Sequence, residues 1–293
     1  MFDHIAPERF VFVAQFGDFL ATFIAKMTPF DDINRRGIEV VCAGIRLEAS
    51  PEMEQEVDVY RPVGLLSLGG YYRFFRKHGV RELTWAGWVT KDTLLSWRGI
   101  LYHLPDYKAL RCWWKRLRHR DRQSQTLLAN IAADFEEHGF HLAHSTQLCP
   151  ELLVEAGVLT KKAPSKKQIE DIAFGWNIAK RMADLDVGQS VTVCDRTTIS
   201  VEGIEGTDRN IRRAGELCKR PFTIVKLAMD HHDMRFDVPT VGPKTLEVMH
   251  EAGAGVLALE AGKTIVLERE KCVEMANRWG MVIVAMDVAP QTA

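Results

Sequence analysis

The sequence predicts an α/β protein of two domains, an N-terminal Rossmann-like βαβ domain over 1–155 and a C-terminal mixed α/β domain over 165–293. Three observations predict it. Short β-type runs alternate with helix-spaced runs through the first half, the pattern of βαβ units and a parallel sheet. The chain has 293 residues, more than one hydrophobic core usually serves. Leu152–Lys167 gathers Gly157, Ala163-Pro164-Ser165 and four lysines, and reads as a linker.

In chain order, Arg9–Ala14 is a strand, followed by Gly17 and a helical pattern through Phe19, Leu20, Phe23 and Ile24. Ile38–Ala43 is a second strand. Leu68–His78 has helical spacing with Gly79 placed as its C-terminal cap, and Glu82–Ala86 is a further strand. Helical spacing then runs from Asp106 to Phe140. Ser165 can cap a helix through Ile169, Ile172, Ala173, Trp176, Ile178 and Ala179, because its hydroxyl satisfies a free first-turn N–H. Strands follow at Ser190–Cys194, Thr198–Val201, Phe222–Ala228, Gly255–Leu259, Thr264–Leu267 and Met281–Met286, with helices at Asp208–Cys218, Pro243–Ala252 and Glu270–Trp279.

Composition narrows the function classes. Hydrophobic residues make up 46% and charged residues 26%, which is ordinary for a globular protein. A net charge of −1 argues against a general nucleic-acid binder. No apolar run approaches the roughly 20 residues that span a bilayer, and no signal peptide is evident. The six cysteines are scattered without a C-x-x-C pair, as in a reduced compartment. A cytoplasmic, bacterial-type enzyme is expected.

Chemistry concentrates in two loops. Lys226–Pro243 (K-L-A-M-D-H-H-D-M-R-F-D-V-P-T-V-G-P) packs acids, imidazoles and one arginine between an apolar run and a Pro/Gly turn. Such density suits phosphate handled through a divalent cation. Lys226 offers a point charge and Arg235 a bidentate fork; Asp233 or Asp237 could hold magnesium or deprotonate a water. A solvated hairpin with local salt bridges is the plain alternative. His231 and His232 are accessory. Val201–Asp208 (V-E-G-I-E-G-T-D) sets Glu202, Glu205 and Asp208 three residues apart, where carboxylates repel unless a cation or arginine intervenes. Thr207 or Asp208 can also simply cap the next helix. Pro243 after Gly242 opens a helix whose first turn could receive a phosphate.

Two further segments are conspicuous. Arg111–Arg122 (R-C-W-W-K-R-L-R-H-R-D-R) admits nucleic-acid binding, membrane-surface contact, or a solvated helix face over two buried tryptophans. Gly64–Gly70 (G-L-L-S-L-G-G) is only loosely like a phosphate-cradling loop, lacking the G-x-G-x-x-G and G-K-[ST] signatures.

With their neighbours, the two loops resemble the LpxI family of UDP-2,3-diacylglucosamine pyrophosphatases. The matching segments are Leu185–Val193, Val201–Asp208, Arg235–Pro243 and Ala252–Glu270, joined more diffusely by His78–Gly87 and Phe135–Phe140. The resemblance implies two domains with the lipid nucleotide between them. It implies magnesium as cofactor and hydrolysis of an acylated UDP-sugar to UMP and lipid X (2,3-diacylglucosamine 1-phosphate), an early step of lipid A synthesis. On that reading Asp237, Asp233, Lys226 and Arg235 are catalytic, with Asp237 foremost. Glu202, Gly206, Thr207, Thr240, Gly242 and Gly17 bind substrate, and Glu205, Asp208 and Asp237 hold the metal. The expected partners are the acylated UDP-sugar and the inner membrane as a peripheral contact, with a homodimer left open and no nucleic acid.

This chain departs from the family pattern in its N-terminal half. Val13–Ala21 (V-A-Q-F-G-D-F-L-A) keeps only Gly17 of a glycine cluster, and Gln15, Phe16 and Asp18 would crowd a backbone approaching phosphate. Gln123–Leu128 has Ser124 and Gln125 where two acids are expected, and Val89–Asp92 reads V-T-K-D in place of V-x-R-P. These departures support the alternative of a catalytically weakened homologue that binds a lipid or nucleotide sugar as a sensor or partner protein.

Overall fold

A computed structural model describes residues 9–14, 39–49, 53–86, 101–118, 124–144, 146, 150–185, 187–228, 235 and 238–291. The chain divides into two compact units, Met1–Cys149 with Asp233–Phe236, and Pro150–His232 with Asp237–Ala293. The fold is α/β, with a Rossmann-like first unit and a mixed second one.

The first unit is built on five strands: β1 (Arg9–Ala14), β2 (Glu39–Ile45), β3 (Val59–Val63), β4 (Glu82–Ala86) and β5 (His141–Leu142). They are ordered β3-β2-β1-β4-β5 and every pairing is parallel. Helices α1 (Met53–Glu56), α2 (Leu68–Lys77), α3 (Tyr107–Cys112) and α4 (Ser124–Glu137) intervene, and α3 continues as a π-helical turn through Trp113–Leu117. Gly79 sits at φ 69° just past α2, where a Cβ would be strained. There the N–H of Val80 donates to the Phe75 carbonyl at 3.0 Å, satisfying a free helix-end acceptor. Aromatic rings of α2, of α4 and of the turn after α4 fill the core: Tyr71, Tyr72, Phe75, Phe135 and Phe140 pack on Val41, Ala43, Leu83 and Leu142. Tyr72 is fully buried; its hydroxyl donates to Asp134 at 2.6 Å, and burial, with that bond, holds its pKa well above the ordinary tyrosine value.

The second unit holds a six-stranded sheet ordered β6-β13-β11-β9-β7-β8. Its strands are β6 (Gly157–Val158), β7 (Ser190–Cys194), β8 (Thr197–Val201), β9 (Phe222–Lys226), β11 (Ala254–Glu260) and β13 (Val282–Met286). β9, β11 and β13 are parallel, while β6 and β7 run antiparallel to their neighbours. β10 (Thr240–Val241) and β12 (Ile265–Val266) form a separate parallel pair. The helices are α5 (Lys166–Asp184), α6 (Thr207–Leu217), α7 (Pro243–Ala252) and α8 (Arg269–Trp279).

Strand parity sorts this core into two layers. Val225, Val256, Ala258, Val282 and Val284 meet Ile172, Trp176, Ala179 and Met182 of α5. The alternate residues Ile224, Leu257, Leu259 and Ile283 meet Ile211, Leu246, Met249 and Cys272 of α6, α7 and α8. Covered on both sides, the central strands read as continuous apolar runs. Gly175 brings α5 close, because a Cβ there would lie 2.8 Å from Val225 Cγ2. The segment read as a linker carries an ordered edge strand, with the Leu159 N–H donating to the Ile283 carbonyl at 3.0 Å.

Candidate functional site

The same parity decides where charge appears at the carboxyl ends of the parallel strands, the edge at which open α/β sheets bind ligands. Lys226 ends β9 two residues beyond Ile224, so it turns to the α6–α7 layer. Glu260 ends β11 two residues beyond Ala258, so it turns to α5.

Lys226 is only 7% exposed. Its ammonium donates to Thr207 Oγ1 at 3.1 Å and to the Thr240 carbonyl at 2.9 Å. Thr207 Oγ1 in turn donates to both Glu202 carboxylate oxygens at 3.1 Å. Register explains the convergence. Ser190 lies opposite Lys226 across the β7–β9 pair, and its carbonyl accepts from the Glu202 N–H at 2.9 Å, so Glu202, Ser190 and Lys226 form one row across the sheet. Thr207 opens α6, and Thr240 lies three residues before Pro243 opens α7. One buried cation therefore ties together the approaches to two helix N-termini. Free first-turn N–H groups, aligned dipoles and an ammonium make an electropositive locus suited to a phosphate. Among the described residues, no carboxylate stands within ion-pair distance of Lys226.

The remaining expected site residues fall as follows. Thr207 is the first helical residue and Gly206, at φ 83°, precedes it as the cap position, so the expectation that Thr207 or Asp208 caps α6 is corrected. The Thr207 hydroxyl is already committed to Glu202 and Lys226. Asp208 lies in the first turn of α6. Glu205 is paired with Arg213 at 2.8 Å and accepts the Gly203 N–H at 3.1 Å, which relieves the repulsion within the acidic loop. Gly242 caps α7 in extended conformation. Thr240 Oγ1 donates to the Val238 carbonyl at 2.9 Å. Arg235 clusters with the first unit, where it pairs with Glu136 of α4 at 2.9 Å. Gly17, Asp233 and Asp237, with His231 and His232, lie outside the described residues. Among the described residues, no three His, Cys, Asp or Glu side chains come together as a metal cage. Magnesium characteristically takes one or two carboxylates and fills its remaining positions with water and substrate phosphate. Asp208, in the first turn of α6, is compatible with that demand, whereas both Glu202 oxygens accept from Thr207 and Glu205 is paired with Arg213.

A second polar cluster escapes the sequence reading. Glu260, 3% exposed, accepts from Lys180 of α5 at 2.9 Å through both oxygens and from the Ala228 N–H at 3.0 Å, and pairs with Lys263 at 2.9 Å. A lone acid closing the apolar run A-G-V-L-A-L-E was the available signal. Below the site, Asn210 donates to Ser190 Oγ at 3.2 Å, and Ser200 Oγ stands 2.8 Å from Thr192 Oγ1, so the buried polar groups under β7 and β8 are mutually satisfied.

Of the three readings of Arg111–Arg122, the solvated face over two buried tryptophans is overturned: Trp113 is exposed by 51% and Trp114 by 64%. The packed side of their helix is instead occupied by Cys112, whose thiol burial pushes up to about 11.

Fold and site together define the class: a two-unit α/β protein with a buried lysine at the carboxyl edge of its second sheet, bonded at the openings of two helices. Residues 155–284 match the family model of the LpxI C-terminal domain, and residues 29–152 match that of the LpxI N-terminal domain. The chain belongs to the LpxI family. It is similar to the UDP-2,3-diacylglucosamine pyrophosphatase LpxI of Caulobacter vibrioides, with 25% identity over 233 residues covering 77% of this chain and 81% of that protein. No helix among the described residues is long and apolar enough to cross a membrane.

Proposed function

We propose that this protein hydrolyses the pyrophosphate of an acylated UDP-sugar, UDP-2,3-diacylglucosamine, to UMP and 2,3-diacylglucosamine 1-phosphate. The observation that carries the reading is the buried Lys226, held at the openings of α6 and α7. Water adds to one phosphorus, the P–O–P bridge breaks, and its electron pair leaves with the other phosphate. Lys226 supplies positive charge for the phosphoryl oxygens as that bond breaks, where a fixed cation counts most. Glu202 orients the Thr207 hydroxyl, and through it the lysine. Asp237, which follows Lys226 in the same loop, is assigned to orienting or deprotonating the water. Magnesium would be held by Asp208 and Asp237 together with the substrate phosphates, and when bound it neutralises the pyrophosphate. Arg235 serves only if its pair with Glu136 opens, so it is left in second place. Binding takes place at the membrane surface that carries the acylated substrate.

The altered segments Val13–Ala21 and Gln123–Leu128 favour a second reading, a homologue that binds the lipid or nucleotide sugar without turnover. The two part on one assay. Purified protein with UDP-2,3-diacylglucosamine and magnesium should release UMP. Asp237→Ala should lose turnover by about 10²-fold or more with its circular dichroism unchanged. An unchanged rate in that variant removes Asp237 from the mechanism.

A further inference from the structure

An amphipathic helix in a folded protein normally turns its apolar stripe inward. The helix of α3 and its π-helical extension does the reverse. Tyr107, Leu110, Arg111 and Trp114 follow the spacing i, i+3, i+4, i+7 and share one outward face, while Cys112 points into the core. Tyr107 is 75% exposed, and Leu101, Leu104, Leu110, Trp113 and Trp114 are each more than half exposed. This is a concentration of rings and leucines that water disfavours. The Arg118 guanidinium lies 3.9 Å over the Trp114 ring. The full stretch Arg111–Arg122 holds six Lys/Arg against one Asp, and of these Lys115 and Arg116 are paired with Glu137 and Asp134 of α4.

The exposed face borders a pocket of about 220 Å³, lined by Leu101, Tyr102 and Leu104 on one side and by Arg46, Arg61 and Arg73 on the other. Arg46 follows β2, Arg61 lies in β3 and Arg73 in α2, and all three line the pocket together with Val63 and Gly64. Among the described residues no carboxylate stands within ion-pair distance of these guanidiniums. The pocket and the helix are locked together. Asp106 accepts from the Gly69 N–H at 2.7 Å and the Gly70 N–H at 3.3 Å in α2, and from the Ala109 N–H at 3.0 Å in α3. Gly64 allows the fit, since a Cβ there would meet the Tyr102 carbonyl oxygen at 2.4 Å.

We propose that this face is a docking surface for an anionic bilayer. The tryptophan and tyrosine rings enter the headgroup boundary, and the three-arginine pocket takes a lipid phosphate. Indole and phenol rings suit that boundary because one end is apolar and the other polar. Guanidiniums match a phosphate's oxygens in bidentate geometry. Two copies of this chain meeting through the same face would oppose the same arginines, and charge complementarity therefore selects a negative surface. The proposal rests on the membrane-surface binding of the proposed function and deepens it by assigning the residues and the lipid phosphate; it concerns binding in place of turnover.

The test mixes the full-length protein with sedimentable vesicles that contain no nucleotide sugar, so its outcome is independent of whether UMP is ever released. The protein should partition onto vesicles of phosphatidylcholine with phosphatidylglycerol, weakly onto phosphatidylcholine alone, and less as salt rises. Trp113→Ala with Trp114→Ala, and separately Arg46→Ala with Arg61→Ala and Arg73→Ala, should each lower partition about ten-fold or more. Leu217→Ser, which removes an exposed apolar residue in the second unit, should leave it unchanged. Circular dichroism verifies that each variant is folded. The proposal is overturned if wild-type protein ignores anionic vesicles or binds neutral ones equally well. It is also overturned if both variants bind as the wild type does, if light scattering shows the tryptophan pair to hold a dimer with no vesicle binding, or if single-stranded DNA displaces the protein from vesicles.

Discussion

Lys226 illustrates how one residue's environment is set by its position in a strand. Two residues after Ile224, it inherits that residue's face, and its ammonium arrives where Thr207 and Thr240 can receive it. A cation at the end of an apolar run was readable in the sequence. Its partner Thr207 was readable as a helix-start residue, and its bond to Lys226 was not, because that bond depends on register between strands far apart in the chain. His103 follows the same logic in the first unit. It is 3% exposed, and its Nδ1 accepts the Leu65 N–H at 3.0 Å, so the ring proton sits on Nε2. Burial first, and Arg46 second, hold its pKa below the ordinary histidine value. A depressed folded-state pKa means that the unfolded chain binds the proton more tightly. The stability this confers is fully present above about pH 6.5 and is lost as pH falls through the folded value. Stability of the first unit against urea should therefore fall as pH drops below about 6.5. His103→Gln should flatten that slope, and an identical slope in the variant would contradict the assignment.

At the scale of elements, helix starts were the most legible feature and edges the least. Ser165 forms the expected cap as a full capping box, its hydroxyl accepting from the Gln168 N–H while the Gln168 side chain accepts from the Ser165 N–H at 2.8 Å. Ser165→Ala should destabilise the second unit by about 1 kcal/mol, read as a lower denaturation midpoint; no change would show that α5 is held by packing alone. β3 was missed because V-Y-R-P-V carries a proline and two exposed residues, features an edge strand tolerates and a central one does not. β6 was missed because two residues carry no period. Trp113 and Trp114 were legible as an amphipathic stripe, and its direction was not. Only the locking of α2 to α3 through Asp106 decides which side faces out.

For the whole molecule, alternation of strands and helices specified the Rossmann-like first unit and the mixed second one, since local periodicity is enough to name layers. Sheet order and the sides on which charges emerge required long-range pairing that no window of sequence contains. The proposed chemistry spreads over both kinds of information: loop composition nominates Lys226, Glu202, Thr207 and Asp237, and register brings the first three together. The most direct test compares wild type with Lys226→Met for UMP release from UDP-2,3-diacylglucosamine with magnesium, alongside equilibrium binding of the same substrate. The wild type should release UMP, and the variant should fall by about 10²-fold or more while remaining folded. Binding by the wild type without UMP release, or full turnover by Lys226→Met, would contradict a hydrolytic site centred on Lys226.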